Sequence, residues 1–511
     1  MSERGGVSRR EFIVGVSVAA AAGVVGCGTH APGSTGGANS AELLELSAGE
    51  AVARIARGEL KAERYATVLL EQCERRKSLN AFITLDKEKV LEAARTADGV
   101  RASGAKLGAL HGLPIPVKDS VNTKDYRTTA GTPALREFRP KEDAPIVRKL
   151  RDAGAIVMGK TNLHELSYGW TSNNLAFGAV HNPYDEKRIP GGSSGGTAAA
   201  IAARMAPLGI AEDTEGSIRV PAAMCGIAGF RPTTYRYPTA GAVPISALFD
   251  QVGPHARSVS DLALLDSVAT GDWSPLNAAG LKGVKLGVAR GYWFSGLDAE
   301  VERISNEALR KLQQAGAQLV EAEVPELGRL IELITDPVQS HDTFYALKKY
   351  LVDYETGVTF EELVAKMSAD VKKDFEHDVL PGGKGFITEK VYEAICEIHL
   401  PKLKENFRQY FSRTGVGAIV FPATMIPPPL IGEDTEVVIG GKKVSFETAV
   451  ARNIAPGSTA GLPGLVLAAG LTSAGLPVAL EFDGQAGTDR ALLGLGVRVE
   501  SILGKVAPPK I

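Results

Sequence analysis

The stretch "RIPGGSSGGTAAAIAARMAPLGIAEDTEGSIRVPAAMCG", spanning 188–226, constrains the fold more than any other part of the chain. Gly191, Gly192, Gly195 and Gly196 bracket Ser193 and Ser194, and Gly216 precedes Ser217. Glycine in such numbers suits tight turns and close backbone approaches. Between the two serine loops lies an alanine-rich segment of high helix propensity, followed by an apolar run. A helix over 197–205 travels ~13 Å at the usual rise. A strand over 206–211 returns roughly 20 Å. This loop-helix-strand-loop excursion can set Ser193 and Ser217 side by side although 24 residues separate them. Both serines then sit where backbone N–H groups can face a ligand, as an oxyanion hole requires.

The rest of the body alternates in the same way. Apolar residues at helical spacing over 44–76 predict amphipathic helices, and "VLEAARTADGVRASG" continues them. "PIPVKDS" (114–120) begins as a strand, and "GAIVMG" (154–159) is a short buried strand between glycines. "GVKLGVARG" (283–291) predicts a strand, then a helix and a second strand, and 340–413 reads as mostly helical. "VGAIVFPAT" (416–424) and "GLPGLVLAAG" (461–470) return to strands. Strands alternating with helices and no repeat period predict one α/β domain around a mixed sheet.

A serine nucleophile needs a base. Gly192-Ser193-Ser194-Gly195-Gly196 satisfies the G-x-S-x-G elbow pattern with Ser194 at its centre, but that motif must follow a buried strand. Here it follows "HNPYDEKRIP", which is polar and punctuated by prolines. His255, His341, His377 and His399 lie downstream, none in a distinctive setting. A lysine serves instead if burial keeps it neutral. Lys118 ends the short apolar strand "PIPVK", which places it near the interior, although on spacing alone a lysine there reads as a solvated surface charge. Asp213 and Arg219, flanking the second serine loop, read as a structural ion pair. Cys225 reads as core, and His111 and His164 as structural.

Composition excludes several classes. The 511 residues are 44% hydrophobic and 23% charged with a formal net charge of −2, so no basic surplus points to nucleic acid. The four cysteines form no CxxC pair and no zinc spacing, and no metal or cofactor is expected. The first residues form an address. Arg9-Arg10 precedes Phe12 and an apolar run too short to span a bilayer comfortably. The pattern is similar to a bacterial twin-arginine signal. It ends in "VVGC", similar to a lipobox with Cys27 as the lipidated residue. Residues 1–27 are thus expected to be a signal, 28–40 a flexible Gly/Ser linker and 41–511 the folded domain. The expected location is the periplasm, free or lipid-anchored through Cys27. The oligomeric state stays open, a homodimer included.

Several stretches together resemble the amidase signature family: "HGLPIPVKDS", "TTAGTPAL", "AGAIVMGKTNLHE", "NPYDEKRIPGGSSGGTAAAIAA", "DTEGSIRVPAAMCGIAGFRPT" and "AGLPGLVLAAGLTSAGLPVAL". They occur in the family's order and with similar spacing, over about 44–270 and 415–503; the region 290–410 is not diagnostic. The resemblance implies a single large domain with a mixed central sheet covered by helices on both faces. It also implies a Ser–Ser–Lys triad with Ser217 as nucleophile, Ser193 as the bridging serine and Lys118 as base. The oxyanion would be held by the loop of Thr214, Glu215 and Gly216, and the Gly192–Ser193 peptide would be cis. Within the family, 231–266 looks most like the indoleacetamide hydrolase and mandelamide hydrolase branch, which implies a small aryl or arylalkyl amide as substrate. Three alternatives remain: hydrolysis of C-terminally amidated peptides, the amidase-like component of a tRNA-dependent glutamine amidotransferase, and a catalytically silent binding protein of the same fold. One departure concerns the oxyanion loop, where the family has Gly-Gly and this chain has Glu215-Gly216. A carboxylate aimed at a developing oxyanion would oppose catalysis, so the Glu215 side chain is expected to point away and hydrogen-bond a neighbouring loop. If it points into the pocket instead, it should favour substrates carrying a donor or a positive charge.

Overall fold

In the computed structural model, which describes residues 39–510, eleven strands form one mixed sheet flanked by helices. In chain order they are β1 (Phe82–Leu85), β2 (Pro114–Lys118), β3 (Ile156–Thr161), β4 (Leu208–Asp213), β5 (Ala228–Arg231) and β6 (Gln251–Ala256). They continue with β7 (Lys285–Val288), β8 (Gln318–Glu321), β9 (Ala418–Pro422), β10 (Gly464–Leu471) and β11 (Pro477–Asp483). The spatial order is β1-β3-β2-β4-β6-β5-β10-β11-β9-β7-β8. β2 runs parallel to both β3 and β4, whereas β6 is antiparallel to β4 and to β5. The central strands β2, β3, β4 and β6 are buried along their whole length. This explains why they show no polar–apolar alternation, since a strand covered on both faces has no polar side, and why the polar residues they carry, such as Lys118, Glu212 and His255, are themselves buried.

Two prolines in a central strand are unusual, because each removes a ladder donor. β2 accommodates them with a register shift between Ile115 and Pro116 against β3. Its pairing with β4 centres on Val117 opposite Ile210. Lys118, the next residue, thereby lies beside the C-terminal half of β4. The expected helix after the first serine loop spans Gly195–Ala202 and ends earlier than its composition suggests. Arg204 adopts a left-handed backbone (φ 61°), and Ala206 precedes Pro207, which disfavours helical geometry there. The following strand therefore begins at Leu208, two residues later than expected.

The amphipathic helices expected over 44–76 are present. Ala48–Arg57 starts with a reciprocal Ser47/Glu50 cap and stops at Gly58, and Ala62–Arg75 follows. Asn39 and Ser40, assigned to the linker, instead cap and begin a short helix, Ser40–Glu45. Arg9, Arg10 and Cys27 lie outside the described residues. The undiagnostic middle of the chain supplies a 27-residue helix, Leu327–Asp353, with Pro337 inside it, and a π-helical turn, Phe375–Val379. Both border the cavity described next. Among the described residues no helix is long and apolar enough to cross a membrane.

Candidate active site

Lys118 is fully buried at the end of β2. Its Nζ lies 2.6 Å from Ser193 Oγ and 2.8 Å from Oε1 of Glu212 on β4. The same Glu212 oxygen accepts from the hydroxyls of Ser120 and Ser167. Burial pushes the Lys118 ammonium below its ordinary range; the carboxylates of Glu212, Asp213 and Asp250 pull the other way without cancelling it. A neutral lysine can accept the proton of Ser193, whereas an ammonium can only donate.

Ser193 is held through its backbone. The Gly192–Ser193 peptide is cis. The Ser193 carbonyl accepts from the His164 N–H at 3.1 Å and from Ser172 Oγ at 3.0 Å. Gly192 has no room for a side chain: a Cβ there would stand 2.7–2.9 Å from the backbone of Trp170, Thr171 and Ser172. Ser194, the centre of the elbow pattern, is fully buried. Its hydroxyl donates to the Glu212 carbonyl at 3.0 Å, so it is engaged away from the cavity. Its N–H donates to the Ser217 carbonyl at 3.3 Å, and this bond joins the two serine loops.

Ser217 sits on the turn from β4 into the short helix Arg219–Met224 and opens onto a cavity of about 540 Å³. Asp213 grips the turn on both sides of it, accepting from the N–H of Gly216 at 2.8 Å and of Ile218 at 3.0 Å. The expected pair with Arg219 is formed at 3.1 Å, and Arg231 adds a second at 3.3 Å, all three residues fully buried. Burial alone would raise the Asp213 carboxyl, but the two guanidinium groups hold it well below the usual carboxylate range. His255 on β6 donates from Nε2 to the Ile218 carbonyl at 2.7 Å, and burial pushes its pKa down to about 4. Gly216 has φ +105° with Ile454 and Val220 methyls 3.0–3.1 Å from where a Cβ would sit, so the turn excludes a side chain there. Because the Gly216 amide is engaged by Asp213, the N–H groups without a partner among the described residues are those of Thr214, Glu215 and Ser217. The Thr214 hydroxyl donates to Asp250 at 2.6 Å.

Glu215 departs from expectation. Its side chain does not turn away but lines the cavity, where Oε2 accepts from Gln339 of the helix Leu327–Asp353, itself part of the cavity wall. Its carbonyl accepts from the Trp170 indole at 3.0 Å. Burial, then the charges of Asp336 and Glu447, push its carboxyl well above the usual range. A carboxyl raised in this way is ionised less readily, which weakens the objection that favoured the outward orientation. Cys225 is core, as expected, its thiol pushed up by burial. His111 bonds the Ala97 carbonyl and His164 bonds Thr171, both structural contacts.

Sequence reasoning missed Glu212, Asp250 and the whole far wall of the cavity. Glu212 left one trace: it and Asp213 are acids ending an otherwise apolar strand, and a buried charge needs a partner. The far wall left none, because its residues lie more than a hundred positions from Ser217 in sequence.

An α/β fold with a buried lysine touching one glycine-loop serine, beside a second serine that opens onto a cavity, defines an amide-hydrolase type of architecture. A family described as Amidase matches residues 65–493, and the chain belongs to this amidase signature family. It is an amidase. Among curated relatives, an indoleacetamide hydrolase of Agrobacterium vitis is 36% identical, over 89% of this chain and 97% of its own length. A mandelamide hydrolase of Pseudomonas putida is 37% identical, over 91% of this chain and 93% of its own. Among solved structures, a crystal structure of an amidase superposes with a TM-score of 0.81 at 30% identity, covering 90% of this chain and all of the other.

Proposed function

We propose that the protein cleaves a small aryl or arylalkyl amide to the carboxylic acid and ammonia through an acyl-enzyme on Ser217. Neutral Lys118 takes the proton of Ser193 while Ser193 takes that of Ser217, whose Oγ bonds to the amide carbon. The oxyanion so formed faces the N–H groups of the Thr214–Ser217 turn. The proton returns through Ser193 to the amide nitrogen, the C–N bond breaks and ammonia leaves. Water then repeats the sequence on the ester, releasing the acid and restoring Ser217. Asp213 and His255 fix the turn from behind and take no part in proton transfer.

The observation that carries this reading is the 2.6 Å contact between buried Lys118 and Ser193. The amide class is supported by the names of the relatives and by Tyr168, Trp170 and Phe446 on the cavity wall. The experiment is ammonia release from a panel of arylalkyl amides by the wild type and Lys118→Ala. Turnover by the wild type and a loss of several orders of magnitude in the variant is expected; near-equal rates would overturn the lysine base. We also infer that Arg9-Arg10 and the apolar run after them export the enzyme, with a lipid at Cys27.

A further inference from the structure

The cavity over Ser217 is acidic on nearly every side. Glu215, Asp336, Asp370, Asp374, Asp378, Asp434 and Glu447 line it, against Lys373 as the one lysine or arginine on the wall among the described residues. We propose that the amide substrate is a cation: an arylalkyl amide carrying an ammonium or guanidinium group a few bonds from the scissile carbonyl. This rests on the amidase reading above and names the substrate class of that site.

Two observations beyond the acid count support it. First, Glu215 is only 6% exposed, yet the one hydrogen-bond partner of its carboxyl among the described residues is the neutral amide of Gln339. Its Oε1 has no partner among the described residues. A buried carboxyl is normally paired with a cation or a set of donors, and none of the protein's own cations supplies that here. Second, three of these acids lack the ion partners that several scaffold acids have, whereas Asp370 and Asp378 lie near His164 and His377. Asp213, Asp266 and Glu481 each meet an arginine within 3.2 Å, whereas Asp336, Asp374 and Glu447 form no ion pair or side-chain hydrogen bond among the described residues. Their like charges and partial burial make the empty cavity unfavourable to full ionisation: burial, then Asp336, Asp378 and Asp374, push the Glu447 carboxyl up to about 7. A bound cation relieves that repulsion.

The arrangement also divides the labour of recognition. Tyr168, Trp170 and Phe446 offer faces for an aryl or alkyl body, and the helix Leu327–Asp353 presents Asp336 and Gln339 on the wall that also holds Glu215. The chemistry at Ser217 is unchanged. The C–N bond of the amide breaks, ammonia leaves with the proton returned through Ser193, and the product is an amino acid zwitterion or its guanidino equivalent.

The test uses three amides of matched size: phenylacetamide, 4-(aminomethyl)phenylacetamide and 4-carboxyphenylacetamide. The full chain is assayed for kcat/KM by ammonia release at low ionic strength. The same amides are also scored for protecting Ser217 from a fluorophosphonate, so that their ranking is read even where turnover is slow. The cationic amide should exceed the neutral one by about tenfold or more and the anionic one by more still. Added salt should narrow the gap. In Asp336→Asn/Glu447→Gln the ratio of cationic to neutral kcat/KM should fall about tenfold, chiefly through KM. Equal kcat/KM and equal protection by the cationic and neutral amides would overturn the inference and leave the amidase reading standing. So would a preference that survives in the double variant. If calcium or magnesium stabilises the protein while the cationic amide gains nothing, the acids serve a metal ion and the inference is wrong. No turnover of any amide together with no labelling of Ser217 would defeat the amidase reading and the inference with it.

Discussion

Lys118 and Glu212 meet inside the sheet, Nζ 2.8 Å from Oε1, with side chains 0% and 5% exposed. The pair sets two opposing forces on the base. Burial favours the neutral amine, and the carboxylate favours the ammonium. Only the neutral amine can accept a proton from Ser193, so activity should rise with pH through a limb governed by Lys118. Removing the Glu212 charge removes the force that favours the ammonium. In Glu212→Gln the limb of kcat/KM should therefore move to lower pH by about one unit or more, even if the loss of the Ser120 and Ser167 contacts lowers the plateau. A limb that stays in place in this variant would mean that another group titrates.

Asp213 holds the nucleophile turn and is the shared partner of two buried arginines. Asp213→Ala leaves those arginines with less compensation and frees two backbone donors. Breaking a buried pair from one side costs about 3–5 kcal/mol, and denaturant unfolding should show a loss of that order. Activity should also fall, because the turn is no longer gripped on both sides of Ser217. A loss below about 1 kcal/mol, within the range of an exposed ion pair, would show that Glu481 and Asp483 compensate.

His255 makes the fold acid-sensitive. Its pKa is about 4 in the folded protein, against 6.5 for the free side chain. The unfolded chain therefore binds more protons than the folded one between those values. The stabilisation is present in full above about pH 6.5 and is lost as pH falls towards 4, by about 3 kcal/mol for this one residue. His255→Gln, whose amide can still donate to the Ile218 carbonyl, should flatten the drop in Tm over that window. An unchanged slope would place the acid sensitivity elsewhere.

These predictions rest on residues of unequal legibility. Lys118 can be placed near the interior from sequence because it ends the apolar strand "PIPVK", but its expected role as base comes from the family resemblance, since spacing alone would leave it a solvated surface charge. Ser193 and Ser217 can be read because glycines mark where the backbone bends. The excursion between them differs from expectation only at its hinge, where Arg204 and Pro207 end the helix early. The orientation of Glu215 cannot be read. It depends on Gln339 and on Asp336 and Glu447, which approach from distant parts of the chain. Helical periodicity says which residues share a face, not what that face meets. The cavity's far wall is hidden for the same reason, and with it the acidic charge it carries.

The proposed export is separable from catalysis. Replacing Arg9 and Arg10 with lysine should retain active enzyme in the cytoplasm, since a twin-arginine route discriminates between the two cations. Cys27→Ala should abolish lipid attachment and leave turnover unaffected. Fractionation and the mass of the mature N-terminus check both. Unimpaired export of the double-lysine variant would contradict the assigned route.

The central claim is that Ser217, not Ser194, forms the bond to the substrate. The direct measurement is peptide mass mapping after treatment with a fluorophosphonate, run alongside ammonia release, for the wild type, Ser217→Ala and Ser194→Ala. The account predicts a single adduct on Ser217 in the wild type and none in Ser217→Ala, which should also release no ammonia. Ser194→Ala should still be labelled at Ser217, because the Ser194 hydroxyl is committed to the Glu212 carbonyl. An adduct that persists in Ser217→Ala and maps to Ser194 would contradict the account.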